Sequence, residues 1–182
     1  MDPLLRATLF KAVLPAAAIL VVLAVAAKRG ISRADDLGFR RPRPAVLAAW
    51  LAIWLVWIGA SEILIRQFGL EQARPWPAYP VHIVVVRILA IGMLGPFAEE
   101  IVMRGIVLFQ IRRRLGNVHA AIVIVALLWA AMHYAYAPGT VALIIADGIM
   151  FGYARHSGGS LWIPIVLHTV GNLISIGQSL TG

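Results

Sequence analysis

Glu99, Glu100 and Arg104 fall within six positions of one another, in a run from Val81 to Ile111 whose only other formal charge is Arg87. A charge at bilayer depth costs ~2.5–3.5 kcal/mol on insertion scales, so such a cluster is a functional-site expectation by default. His133, His168 and Asn172 lie in later apolar runs. A glutamate and a histidine sharing a wet pocket can activate water as a general base. A second histidine and an asparagine can donate hydrogen bonds to a developing oxyanion. The chemistry these types point to is hydrolysis of an acyl group, meaning cleavage of a peptide bond within the membrane. The same residues also suit zinc: Glu99, His133 and His168 would supply three ligands and leave a fourth position open. The usual HExxH signature is absent, and residue types alone do not separate the two mechanisms.

The elements that must position these groups are membrane helices. Of the 182 residues, 61% are hydrophobic and 13% charged, against roughly half and a quarter in a soluble domain. The chain reads as an all-α, polytopic transmembrane bundle. It has no cysteine, which excludes disulfides, thiolate metal sites and a cysteine nucleophile. The net charge of +8 lies in short loops between apolar runs. That is a pattern of topology signals and headgroup contacts rather than nucleic-acid binding.

Taken in order, Thr8 to Ala27 is a first span. Ala24-Val25-Ala26 could pass for a signal-peptidase site, but Lys28 and Arg29 follow at once, so the expectation is a retained helix. Residues 28–44 form a basic loop, broken by Arg41-Pro42-Arg43-Pro44. Ala45 to Ile65 is a second span with Trp50, Trp54 and Trp57 on one face, for lipid or packing contact. Glu62 and Arg66 form an i, i+4 pair near its end. The loop to Pro80 carries Pro75 and Pro77, with Trp76 and Tyr79 as interfacial aromatics. Val81 to Ile111 would be ~46 Å of straight helix, too long for a ~30 Å hydrocarbon core. Gly95-Pro96 divides it, with proline well placed to open the second part. Arg112-Arg113-Arg114 closes the segment. Val118 to Tyr136, Thr140 to Ala154 and Leu161 to Gln178 complete about six passes, with one broken helix at Gly95-Pro96. Residues 1–80 then form two amino-terminal helices with a basic loop, and 81–182 a catalytic core. The loops at 28–44, 112–117 and 155–159 are expected in the cytoplasm, with both termini outside. Arg6 and Lys11 argue mildly the other way.

This topology puts the polar residues at one depth. From the basic end, Glu99 and Asn172 lie ~20 Å in, His133 ~24 Å and His168 ~14 Å, at 1.5 Å per residue. His168 and Asn172 share a helix face. Glu100 and Arg104 are an i, i+4 pair in the favourable order, while Glu99 lies ~100° around the helix. Glu100 and Arg104 are therefore expected to steady the helix, and Glu99 to face the cavity.

Three motifs, Glu99-Glu100-x-x-x-Arg104, Trp129-Ala-Ala-Met-His133 and His168-Thr-Val-Gly-Asn172, together resemble the CPBP family. These are the CAAX-protease and bacteriocin-processing intramembrane proteases, also called the Abi family. The motifs occur in the family's order and cover roughly residues 81–178. One departure is Trp129, where the family usually has phenylalanine. The resemblance implies a glutamate-dependent intramembrane endopeptidase, a hydrolase of the bacterial plasma membrane acting on a membrane-anchored protein or peptide. It implies that Glu99 and His133 activate water and that His168 and Asn172 form the oxyanion site. Glu100 and Arg104 would support the site, with no cofactor required unless zinc is used.

Blander readings stand beside this one. Glu99 could be a structural charge paired with Arg87 or Arg104. His133 could be a satisfied core histidine, and His168 with Asn172 interhelical glue. Asp147 is expected to pair with an arginine. His82, His119 and His156 are expected at the interface, and Gly148 and Gly152 in close helix packing. Competing functions are a small transporter, which usually shows paired half-repeats that are absent here, and a non-catalytic scaffold such as a bacteriocin-immunity factor. The polar slab lies nearer the outer face, so the expected substrate is one processed after export.

Overall fold

The computed structural model describes residues 3–70 and 76–181; Pro75 lies outside the described residues. Six helices account for the fold: α1 (Pro3–Lys28), α2 (Pro44–Phe68), α3 (Val81–Leu115), α4 (Val118–Ala131), α5 (Pro138–Gly158) and α6 (Trp162–Thr181). No strand occurs among the described residues. Four helices (α1, α2, α3 and α6) are long and apolar enough to cross a membrane. α4 has only 14 residues, or ~21 Å. It ends at Ala131 rather than near Tyr136, so His133 stands on the turn that follows instead of inside a span.

The helix ends follow local chemistry. Pro44 and Pro138 open α2 and α5, where a missing N–H costs nothing. Asn117 caps α4 by accepting the backbone N–H groups of His119 and Ala120. Gly116 and Gly159 end α3 and α5 in the left-handed conformation, with φ of 66° at each.

Burial sorts the helices. In the most apolar stretch of α1 and of α2 only 6% of residues are buried, against 28% in α3 and 39% in α6. The first two helices therefore present their sides to lipid, and Val56 is 74% exposed. α3 and α6 turn more of their surface inward, and with α4 and α5 they form the interior, where Ile122, Trp129, Phe151, Met103 and Leu167 share one core.

The interruption at Gly95-Pro96 takes an instructive form. The helix axis does not stop there. Instead α3 carries two seven-residue π-helical segments, Ile88–Leu94 and Ile101–Val107, either side of the α-helical Gly95–Glu100. The N–H of Gly95 reaches back five residues to the Ala90 carbonyl. The matching π partner of the Ile91 carbonyl would be the N–H of Pro96, which proline lacks. The Asn172 side chain of α6 takes that place and donates to the Ile91 oxygen at 2.9 Å. A sequence-encoded defect in one helix is thus closed by a polar residue of another.

The tryptophans of α2 serve packing. Trp54 is 4% exposed and its ring lies 4.8 Å from that of Phe151 on α5. Trp50 donates to Ser157 at 3.1 Å, and Trp57 to Asp147 at 2.6 Å. Asp147 is therefore bonded to an indole, not ion-paired to an arginine as expected. The indole N–H supplies a donor without a second buried charge, which costs less desolvation.

Gly148 and Gly152 let α5 approach α4 closely. A Cβ at Gly148 would lie 2.9 Å from the Ala126 Cβ and 3.0 Å from its Cα, and one at Gly152 would lie 2.6 Å from Ile122. Backbone cannot yield as a long side chain can. Gly148→Leu should therefore destabilise the fold by about 1–3 kcal/mol, the usual cost of overpacking. Thermal unfolding of the detergent-solubilised protein measures this, and an unchanged Tm would contradict the close α4–α5 contact.

Candidate active site

Glu99 and Glu100 lie in the α-helical stretch between the two π segments, one residue apart and in different surroundings. Glu100 and Arg104 are fully buried and paired at 2.9 Å, one turn apart. Arg104 also donates to the Gly148 carbonyl at 3.2 Å, and its guanidinium lies 4.7 Å from the Trp129 ring centre and 5.3 Å from that of Phe151. Glu99 and Asp147 add to the favourable field on Arg104, after Glu100. A buried arginine is tolerable only with such partners.

His168 joins the same pair. Its Nδ1 lies 2.9 Å from Glu100 Oε1, the oxygen that Arg104 also uses. A carboxylate accepts, so Nδ1 carries the proton and Nε2 is the nitrogen left free. The imidazole stacks on Phe151 with centroids 5.3 Å apart. The expected pairing of Glu100 with Arg104 therefore also fixes a histidine, a link that crosses 68 residues of sequence.

Glu99 is half-buried and accepts the indole N–H of Trp129 at 2.7 Å. The Trp129 ring is packed edge-on against His133 at 5.2 Å and His168 at 5.3 Å, centre to centre. His133 Nδ1 lies 3.0 Å from the Trp129 carbonyl and so donates to it, leaving Nε2 as an acceptor. Trp129 thus touches Glu99, His133, His168 and Arg104. Sequence reading treated it only as a motif aromatic. The signal for more was available: an indole offers a donor that phenylalanine does not. Asn172 keeps its place one turn beyond His168, with one amide hydrogen committed to Ile91.

Arg87 does not serve as a counter-ion here. Its guanidinium lies 4.7 and 4.9 Å from the ring centres of Trp76 and Tyr79, a cation–π arrangement. An apolar cavity also lies elsewhere. It measures about 670 Å³, is almost wholly apolar, and lies between α1, α3 and α6, bounded by Leu20, Phe97, Trp162 and Val170. Phe97 is ~200° around the helix from Glu99, so this groove faces away from the carboxylate. Among the described residues no group of three or more His, Asp or Glu side chains is placed to hold a metal ion.

The two glutamates should respond differently to the same change. Glu100→Ala leaves Arg104 buried without its partner and should cost about 3–5 kcal/mol. Glu99→Gln keeps shape and a hydrogen-bonding oxygen at a half-exposed position and should leave Tm nearly unchanged. Parallel melting curves of the two variants check this, and equal losses would overturn the division of roles.

Residues 80–174 match the family described as type II CAAX prenyl endopeptidase, Rce1-like. A protein of Escherichia coli described as an uncharacterized 24.3 kDa protein is 31% identical over 128 residues, which is 63% of this chain and 58% of that protein. The chain thus aligns with less than two thirds of that relative's length. No solved structure matches. Four helices of spanning length and apolarity make the chain an integral membrane protein. The family match takes in more than half of the sequence and all three motifs, and the chain belongs to the Rce1-like family of type II CAAX prenyl endopeptidases.

Proposed function

We propose that the chain is a glutamate-dependent intramembrane endopeptidase that cleaves a membrane-anchored protein or peptide. The observation that carries this reading is the grouping around Trp129: its indole N–H binds Glu99 while its ring contacts both His133 and His168. Among the described residues, a carboxylate bonded through one oxygen stands beside two imidazoles bonded only through Nδ1.

The reaction needs no covalent intermediate. Glu99 takes a proton from a water molecule as the water oxygen bonds to the scissile carbonyl carbon. His133 Nε2 accepts the other water hydrogen and fixes the attack direction. The carbonyl oxygen becomes an oxyanion. Asn172 supplies its second amide hydrogen to it, and His168, held at Nδ1 by Glu100, donates from Nε2 in its doubly protonated form. Protonated Glu99 then gives its proton to the leaving nitrogen as the C–N bond breaks. Glu100 and Arg104 act by holding His168, and are positioning residues.

The substrate is presented from within the bilayer of a bacterial plasma membrane, and the basic loops lie on the cytoplasmic side. Processing of an exported protein follows from the depth of Glu99 on that orientation.

Reconstituted cleavage of a membrane-anchored peptide tests the reading. Glu99→Gln and His133→Ala should each lower kcat by about 10²-fold or more, the typical worth of a positioned acid or base, with and without a chelator. Wild-type cleavage by Glu99→Gln would remove Glu99 from the chemistry, absence of cleavage by the wild type would leave a non-catalytic scaffold, and loss with chelator would transfer the reading to a metal enzyme. Trp129→Phe retains the ring and removes the donor. It should reduce kcat about 10- to 100-fold, the equivalent of about 1.5–3 kcal/mol for a hydrogen bond to a charged group, and lower Tm modestly because Trp129 is buried and phenylalanine fills less of its site. An unaltered kcat would remove Trp129 from the positioning role.

A further inference from the structure

The three basic loops meet in one cleft. It measures about 250 Å³ and is walled by Arg40 of the 28–44 loop, Arg112 at the end of α3, and Arg155 and His156 at the end of α5, with Asp35 and Asp36 at its rim. At ~30 Å³ per water it has room for several waters, or for a tetrahedral oxyanion. Its inner wall is Arg104, the buried partner of Glu100.

The cleft is a built feature. The 28–44 loop is tied to the start of α6 by two hydrogen bonds, from the Leu161 N–H to the Gly38 carbonyl at 2.7 Å and from the Ser160 hydroxyl to the Arg40 carbonyl at 2.6 Å. Gly38 has φ of 83°, and the Arg155 guanidinium occupies the space its Cβ would take. The loop backbone therefore lies directly on Arg155. Phe39, next to Gly38, packs on Phe97 and Trp162, with ring centres 6.0 and 5.6 Å away, and anchors the loop.

The charges inside it do not balance. Arg155 is half-buried and its Nε is shut off from solvent with no hydrogen-bond partner. The charged groups acting on it, Arg112 and Arg40, are of its own sign. The two rim aspartates are otherwise engaged. Asp35 pairs with Arg40, whose hydrogen bond, together with that of Ser32, holds the Asp35 carboxyl below the usual carboxylate range. Asp36 accepts the Ser32 backbone N–H at 2.8 Å. Among the described residues neither Arg112 nor Arg155 has an ion pair. Gathering like charges around a partly desolvated guanidinium is costly unless an anion completes the arrangement.

We propose that the Arg40–Arg112–Arg155 cleft is a binding site for a phosphate-bearing anion. Guanidinium forks match phosphate oxygens in pairs. The cleft lies where α3 and α5 end and α4 and α6 begin, the basic end of the bundle, and basic pockets between spanning helices on the cytoplasmic side are the usual form of headgroup sites. The phosphate of an anionic phospholipid and free inorganic phosphate share this chemistry. The site does not depend on the endopeptidase reading. Its occupant would stand one guanidinium away from the Glu100–His168 pair.

The test uses the full chain in nanodiscs of phosphatidylcholine alone, in the same discs with added phosphatidylglycerol, and in phosphatidylcholine discs with inorganic phosphate in the buffer. Tm should rise by several degrees with phosphatidylglycerol, with phosphate, or with both. A rise with lipid only identifies a headgroup site, and a rise with both identifies a general phosphate site. Arg112 is exposed, so Arg112→Gln should fold normally in phosphatidylcholine and need about tenfold or more ligand for half the Tm rise, reflecting a lost charge-assisted hydrogen bond. Arg155→Gln should act likewise, and Arg113→Gln, beside the cleft but not lining it, should behave as wild type. No Tm rise with either ligand, a rise unaltered in Arg112→Gln, or equal weakening in Arg113→Gln would overturn the site in favour of diffuse attraction to the basic surface.

Discussion

The buried pair of Glu100 and Arg104 is the constraint from which the interior of this bundle follows. Two ions removed from water cost several kcal/mol each before any attraction is counted. Their separation of 2.9 Å offsets part of this, and the Gly148 carbonyl and two aromatic faces offset more. Each compensation dictates a neighbour. The carbonyl contact requires α5 to come close, which is why a glycine faces Ala126. The aromatic contacts require Trp129 of α4 and Phe151 of α5 on either side. The remaining capacity of Glu100 Oε1 takes His168 from α6. Four helices are thus set by the solvation needs of one arginine.

The second organising device is the altered gauge of α3. π segments occur disproportionately at functional sites, and here two of them bracket the glutamates. A π turn shifts the angular register of everything that follows it. The α-helical phase carried from the start of α3 therefore does not predict where Glu99 points. The carbonyl freed at Ile91 is closed by Asn172, so the defect also fixes the rotation and depth of α6. Asn172 holds α6 to α3 with one amide hydrogen, the interhelical-glue role, and the proposed role at the reacting carbonyl would draw on the other.

The site was legible in the sequence where the governing interaction is local or where burial itself carries the information. Glu100 with Arg104 is an i, i+4 pair, readable from spacing alone. The different surroundings of Glu99 follow from a 100° step on the same helix. Gly148 and Gly152 spell a close contact whoever the partner is. What spacing does not encode is which groups meet across helices. The bond from His168 to Glu100 links α6 to α3, and Asp147 found an indole because α2 turns Trp57 toward it. The end of α4 was overestimated for a related reason. Ala130 to Tyr136 stays apolar enough to extend a span, but the chain must turn into Pro138, and the residue before a proline is kept out of the helical region. His133 consequently occupies a turn rather than a helix.

Placement of His133 on that turn bears on how the site is divided. Glu99, Glu100, His168 and Asn172 belong to α3 and α6, which are the most buried of the spanning helices. Their mutual geometry is held by interior bonds between 2.7 and 2.9 Å. His133 depends instead on one bond to the carbonyl of Trp129 and on edge contacts with Trp129 and Tyr136. Tyr134 beside it is 85% exposed. Few packed contacts and an exposed backbone mark the low-stability end of a fold. Glu99, His168 and Asn172 are thereby built into the rigid interior, while His133 rides on a turn with fewer interior bonds.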